Sequence, residues 1–157
     1  MKKTARNLFS KGVYFCLAAT LAVGGFFVAS FVLAAHTTTS TVDRILVKGG
    51  TTNPYTFTVH NNGADSIYKI TINAAAGFII NPATIICPLG WNNDGSSSAS
   101  AAVCLTDVFD PSVLPSGNNA NVTFQATSPL SNAPLAWNVV TRDVVGGFTF
   151  SADNNAI

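Results

Sequence analysis

Residues 13–35, VYFCLAATLAVGGFFVASFVLAA, contain no charge, no proline and no amide side chain. That stretch limits what the chain can become more than any other part of it. As a helix rising about 1.5 Å per residue it would be roughly 35 Å long, enough to cross the hydrocarbon core of a bilayer. A helix apolar on every side is stable only in lipid or inside a protein core. Ahead of it, MKKTARNLFSKG carries Lys2, Lys3, Arg6 and Lys11 and no acid. Such a basic flank stays on the cytoplasmic side of an export or anchoring segment. The chain beyond is therefore expected outside the cytoplasmic membrane, extracellular or at the cell surface.

Composition then separates the start of the chain from its body. The whole sequence has a formal charge of +1, but from His36 onward four basic side chains against seven aspartates leave −3, and there is no Glu anywhere. A weakly acidic, charge-poor body offers no footprint for nucleic acid. Lys, Arg and Met are scarce, whereas Val, Ile, Thr and Phe are plentiful, which favours strands over helices. A body of this length can bury one core and hardly two. The expected organisation is a basic segment over 1–12, an apolar helix over 13–35, a linker over 36–40 and an all-β domain over 41–157.

Short alternating runs with turn punctuation define the strands. TVDRILVK, from Thr41 to Lys48, reads as the first. In YTFTVHN, Tyr55, Phe57 and Val59 share one face. Asn61-Asn62-Gly63 reads as a tight turn, so SIYKITIN, from Ser66 to Asn73, should form a hairpin or a neighbouring strand pair with YTFTVHN, with Tyr68, Ile70 and Ile72 inward. GFII and TIIC are separated by Asn81-Pro82, where proline breaks a strand or puts it at an edge. Residues 92–100 form a loop and AAVCLT returns as a strand. NVTFQAT places Val122, Phe124 and Ala126 on one face, and LAWNVVTR places Leu135, Trp137, Val139 and Thr141 on one face. With Phe148 to Ser151 this gives seven to nine strands at the spacing of a single Greek-key β-sandwich.

Cys16 lies within the apolar stretch and lacks the small residues that precede a lipidated cysteine. Cys87 and Cys104 remain as a pair in an exported body and are expected to form a disulfide, worth about 3 kcal/mol through chain entropy. Two buried free thiols are the alternative.

Three fates are open to the apolar stretch. A secretory signal would be cut near Ala34 or Ala35, although the run is long for that role. An uncleaved anchor would keep it whole. The junction Lys11-Gly12 followed at Val13 by an uncharged run resembles the prepilin (class III) signal of type IV pilin-like proteins. That resemblance implies a cut after Gly12 and an apolar helix kept for the filament core. The run YTFTVHNNGADSIYKITINAAAGFII, with the later PSGNNANVTFQAT, resembles the immunoglobulin-like sandwich repeats of bacterial and archaeal cell-surface proteins. It implies a structural, spacer or adhesive role and no active site.

Candidate chemistry is sparse. No G-x-S-x-G, H-E-x-x-H, Walker loop or C-x-x-C occurs. His60 faces away from Tyr55, Phe57 and Val59 and reads as a surface side chain. Asp107 and Asp110, with Asn92, Asn93 and Asp94, could offer oxygens to calcium, but Asp-Pro and Asp-Gly are ordinary turn chemistry. No metal site, cofactor or enzymatic activity is expected. Asn121 opens the sequon Asn-Val-Thr and is a candidate glycosylation site. Trp91, close behind Cys87, reads as a plug at one end of the core; Trp91 and Trp137 could otherwise form an exposed sugar platform, with Trp137 the more expected in the core. The reading that results is a non-enzymatic surface protein. It would be a pilin-like subunit that contacts membrane and self-associates into a filament or surface assembly. The alternative is a secreted or anchored module that binds a glycan or protein ligand.

Overall fold

The computed structural model describes residues 37–44, 47–107, 110–130, 136–145 and 148–156, with side chains through Asp143. The expected helix over 13–35, its basic flank, and the cleavage candidates Lys11, Gly12, Val13, Ala34 and Ala35 lie outside these residues.

Nine strands are present among the described residues: β1 (Thr38–Val42), β2 (Thr52–Asn61), β3 (Ser66–Asn73), β4 (Ile79–Ile86), β5 (Asn92–Asn93), β6 (Ala101–Leu105), β7 (Asn119–Thr127), β8 (Asn138–Val145) and β9 (Phe148–Ala156). They form two antiparallel sheets, one ordered β1-β2-β7-β4 and the other β5-β6-β3-β8-β9. The immunoglobulin frame sets A-B-E-D against C-F-G. Here β1-β2-β7-β4 faces β3-β8-β9 in that arrangement, and β5 and β6 extend the second sheet beyond β3. An all-β, immunoglobulin-like sandwich is thus what the chain forms.

Alternation builds the core. Tyr55, Phe57 and Val59 of β2 and Val122, Phe124 and Ala126 of β7 are buried from one sheet, and Ile70, Ile72, Trp137 and Val139 from the other. Trp137 is the hub of an aromatic cluster, with ring centroids 5.4 Å from Tyr55, 5.2 Å from Phe57, 5.0 Å from Phe78 and 5.8 Å from Phe124. These tilted and edge contacts add to the gain from burying large rings. The disulfide forms between Cys87, just after β4, and Cys104 in β6. It ties one sheet to the other, as the Thr38 and Thr141 hydroxyls also do at 3.2 Å.

Three expectations are corrected. The strands flanking Asn61-Asn62-Gly63 are not a hairpin, because β2 and β3 belong to opposite sheets. A type I′ turn needs positive φ at both central residues. Among the described residues no non-glycine has positive φ, and Gly63 is not among the glycines that do. Instead the buried Asn61 side chain donates to Asp65 O (2.8 Å) and Leu114 O (3.1 Å), carrying the chain across the sandwich. In β3 the register shifts between Ile67 and Lys69, so Ile67 is buried and Tyr68 only half-buried. At the start, β1 takes up Thr38–Ser40 from the expected linker and ends at Val42, short of the Lys48 anticipated.

Candidate functional site

The outer face of the β1-β2-β7-β4 sheet is the most distinctive surface of the domain. None of the residues in its four strands is Asp, Glu, Lys or Arg. The other sheet carries Lys69, Arg142, Asp143 and Asp153. Inward residues alternate with outward Thr, Asn, Gln and His, and antiparallel register sets the outward groups side by side. His60 lies opposite Asn119, Thr58 opposite Asn121, Thr56 opposite Thr123, Pro54 opposite Gln125 and Thr52 opposite Thr127.

Cross-strand hydrogen bonds order this face. His60 Nδ1 is 2.7 Å from Asn119 Oδ1, Thr58 Oγ1 donates to Asn121 Oδ1 at 3.0 Å, and the Thr52 and Thr127 hydroxyls are 2.7 Å apart. At the β1 border Asp43 Oδ1 accepts the Thr56 N–H at 2.9 Å. The candidate glycosylation residue Asn121 is therefore an exposed group in the middle of the sheet. His60 is a half-buried member of the polar ladder.

β4 gives the face its apolar border. Ile79 and Ile86 are 59% and 66% exposed. Pairing with β7 breaks between Asn81 and Ile86. There Thr84 Oγ1 donates to Asn81 O (2.8 Å) and accepts the Gln125 N–H (2.9 Å). The break leaves a groove of about 410 Å³ beside Pro54, Ala83, Thr84, Ile86, Thr123 and Gln125. No acid, base or thiol lines it. Beyond β4, Pro88–Trp91 make a turn with Gly90 at φ +82°, closed by the Trp91 N–H on Pro88 O at 2.9 Å. Leu89 at its tip is 98% exposed. The turn is fixed by the adjacent disulfide, by the Trp91 indole N–H on Ser112 O (2.7 Å) and by Ser112 Oγ on Gly90 O (3.2 Å).

The remaining candidates fall elsewhere. Trp91 and Trp137 are buried, so neither is a surface platform. Asp94 and Asp110 each hold their own turn. Burial would raise the Asp94 carboxyl, but the Ser96 hydroxyl and N–H and nearby Lys69 (3.5 Å) together bring it below the usual carboxylate value. The Ser112 N–H at 2.7 Å, followed by the Ser112 hydroxyl, lowers Asp110. Among the described residues no three His, Cys, Asp or Glu side chains converge as a metal site would require. The border isoleucines and Leu89 were missed as surface features. Their signal was present in the proline that interrupts β4 and the Pro-Leu-Gly turn.

No protein-family model and no curated protein matches this sequence. Its fold does match solved structures. A Corynebacterium diphtheriae protein, named as a proposed membrane-anchored protein, is similar over 82% of this chain and 37% of its own, with a TM-score of 0.55 and 12% identity. The full-length major pilin SpaD of the same organism is similar over 77% of this chain and 34% of its own (TM-score 0.49, 13% identity). A Nocardia farcinica protein with an immunoglobulin-like fold is similar over 75% of this chain and 96% of its own (TM-score 0.48, 16% identity). The chain spans little more than a third of either Corynebacterium protein. At these identities the likeness is one of fold.

Proposed function

We propose that this chain is a non-enzymatic structural module of the cell surface, and more specifically a pilin-like subunit. Its 13–35 segment would sit in the membrane until assembly and then pack in a filament core. The observation that carries the reading is the succession of two uncharged parts along the chain. A disulfide-tied sandwich with one wholly uncharged sheet follows an uncharged segment with a basic flank. Uncharged hydroxyl and amide groups suit lateral packing between subunits more than steered capture of charged ligands. That a protein of similar fold is named as a proposed membrane-anchored protein agrees with this reading.

Two measurements on the native host test it. Protease added to intact cells should remove the domain, and protection of the domain would end the surface reading. The intact mass and N-terminal sequence of the mature chain then test the finer one. A start at Val13 is expected for a pilin-like subunit, and a start near Ala35 or His36 would remove the helix and refute it. A second reading, an adhesive module for carbohydrate or protein, is favoured by the groove beside Thr84 and Gln125. Retention of the mature chain on immobilised polysaccharide, lost in Gln125→Ala, would support that reading instead.

A further inference from the structure

We propose that the outer face of the β1-β2-β7-β4 sheet docks against the same face of a second copy of this chain. The inference deepens the surface-module reading by naming the surface through which copies meet.

Four large apolar side chains are strongly exposed among the described residues: Ile79, Ile86, Leu89 and Leu130. Ile79 and Ile86 lie on this sheet, and Leu89 and Leu130 follow its strands β4 and β7 along the chain. Ile79 and Ile86 are the ends of β4. Leu89 lies three residues past Ile86, and Leu130 three residues past Thr127, the partner of Ile79. Exposed apolar residues scattered singly need no explanation, but a border gathered along one strand and its two ends does.

Charge decides the occupant. A strongly charged partner gains nothing from a sheet without Asp, Glu, Lys or Arg, whereas an identical copy meets it without like-charge repulsion. Shape agrees. An isologous contact requires each copy to offer both halves of every interaction. This face has a protruding isoleucine, Ile86, at the rim of a groove of about 410 Å³.

The edge of β4 is closed to simple strand addition, so the contact is made by side chains on the face. The Ile80 N–H already donates to Ala99 O (2.8 Å), and two residues on, Pro82 has no N–H to offer. The Ala83 N–H is taken by Asn81 Oδ1 at 3.2 Å. Proline and side-chain capping are the devices that blunt an edge strand.

Area sets the strength. Strands of 5, 10, 9 and 8 residues, rising about 3.4 Å per residue and set about 4.8 Å apart, give a flat face of roughly 520 Å². Stable complexes bury about 800 Å² per partner, so the face reaches this only with the leucines at its two ends. The contact is accordingly weak in dilute solution and gains from the high effective concentration of copies held on one surface.

The test uses the mature chain as isolated from its host, in detergent that covers the 13–35 segment where it is retained, followed by sedimentation up to about 1 mM, the range of weak association. Reversible dimers are expected. Thr123→Lys and Thr123→Asp should each raise the dissociation constant about tenfold by placing like charges opposite one another, and an equimolar mixture of the two should restore association. Ile86→Ser, at an exposed residue, should also weaken dimers while leaving the melting temperature unchanged. Thr71→Lys, on the other sheet, should have no effect. The proposal is overturned if the chain stays monomeric throughout, if Thr71→Lys weakens association equally, or if folded Lys and Asp variants fail to recover on mixing. A domain that protease reaches on intact cells but that fails these tests keeps the surface reading and loses this one.

Discussion

Cys87 and Cys104 show what a residue pair contributes when it spans the sandwich. Their separation of 17 residues closes a loop running from the end of β4 through β5 into β6. Replacing both with Ala should cost about 3 kcal/mol, the chain-entropy value for a loop of this size. Chemical denaturation with and without reductant measures it, and an unchanged midpoint would refute the structural role. Titration gives a second residue-scale prediction. Asp94 and Asp110 sit below the ordinary carboxyl value of 3.8 in the folded chain, so the unfolded chain takes up protons first. Their contribution is complete above about pH 5 and is lost as pH falls through the folded values. Burial, outweighing the pull of Arg44 and aided by Asp43, pushes the Tyr55 phenol above 10.0. Its contribution is whole below pH 10 and is lost as pH rises through the folded value. Melting temperature against pH should therefore be flat between about 5 and 9 and fall on both sides. A fall on the acid side beginning near pH 7 would contradict the assignment. At this scale Trp137 was legible, since it alternates with Val139. So was Trp91 as a plug at one end of the core, close behind Cys87; what was not legible is its indole N–H on Ser112 O, 21 residues away.

β4 is the element where local pattern and fold part company. Two apolar pieces around Asn81-Pro82 are one strand, interrupted in its pairing with β7 but continuous in direction. Proline announced the edge and the irregularity, as an edge strand allows. It could not announce that Thr84 would reach across to the Gln125 N–H and hold the strand on its sheet. β2 and β7 were legible because clean alternation and burial coincide in both. β3 slipped because a bulge changes phase after Ile67, and no periodicity argument contains a bulge. Pro82→Val tests the guarding role of the edge. The position follows Ile80 by two residues, so its restored N–H should face outward, as the Ile80 N–H does. The variant should remain folded and form thioflavin-positive aggregates at concentrations where the parent stays clear. Equal clarity in both would show that the Ala99 contact and the Asn81 cap protect the edge without the proline.

Across the whole molecule the two sheets divide the charge between them, and no stretch of sequence displays that division. The uncharged strands come from four separated segments, and only a topology that crosses repeatedly between sheets gathers β1, β2, β4 and β7 together. Composition recorded a charge-poor body but could not say that no charge would fall within the four strands of one sheet, with Asp43 held only at its β1 border. The division makes the response to salt diagnostic. A contact between uncharged faces, driven by Ile79, Ile86, Leu89 and Leu130, has no ion pairs to screen. Raising sodium chloride from about 50 to 500 mM should change the dissociation constant less than about threefold, whereas a contact using Lys69 and Arg142 should weaken about tenfold. Sulfate at equal ionic strength should strengthen the contact, because its exclusion from apolar surface favours burial. Sedimentation in the three buffers separates the cases. Strong weakening by chloride would place the contact on the charged sheet, and strengthening by sulfate alone would keep it on the uncharged one.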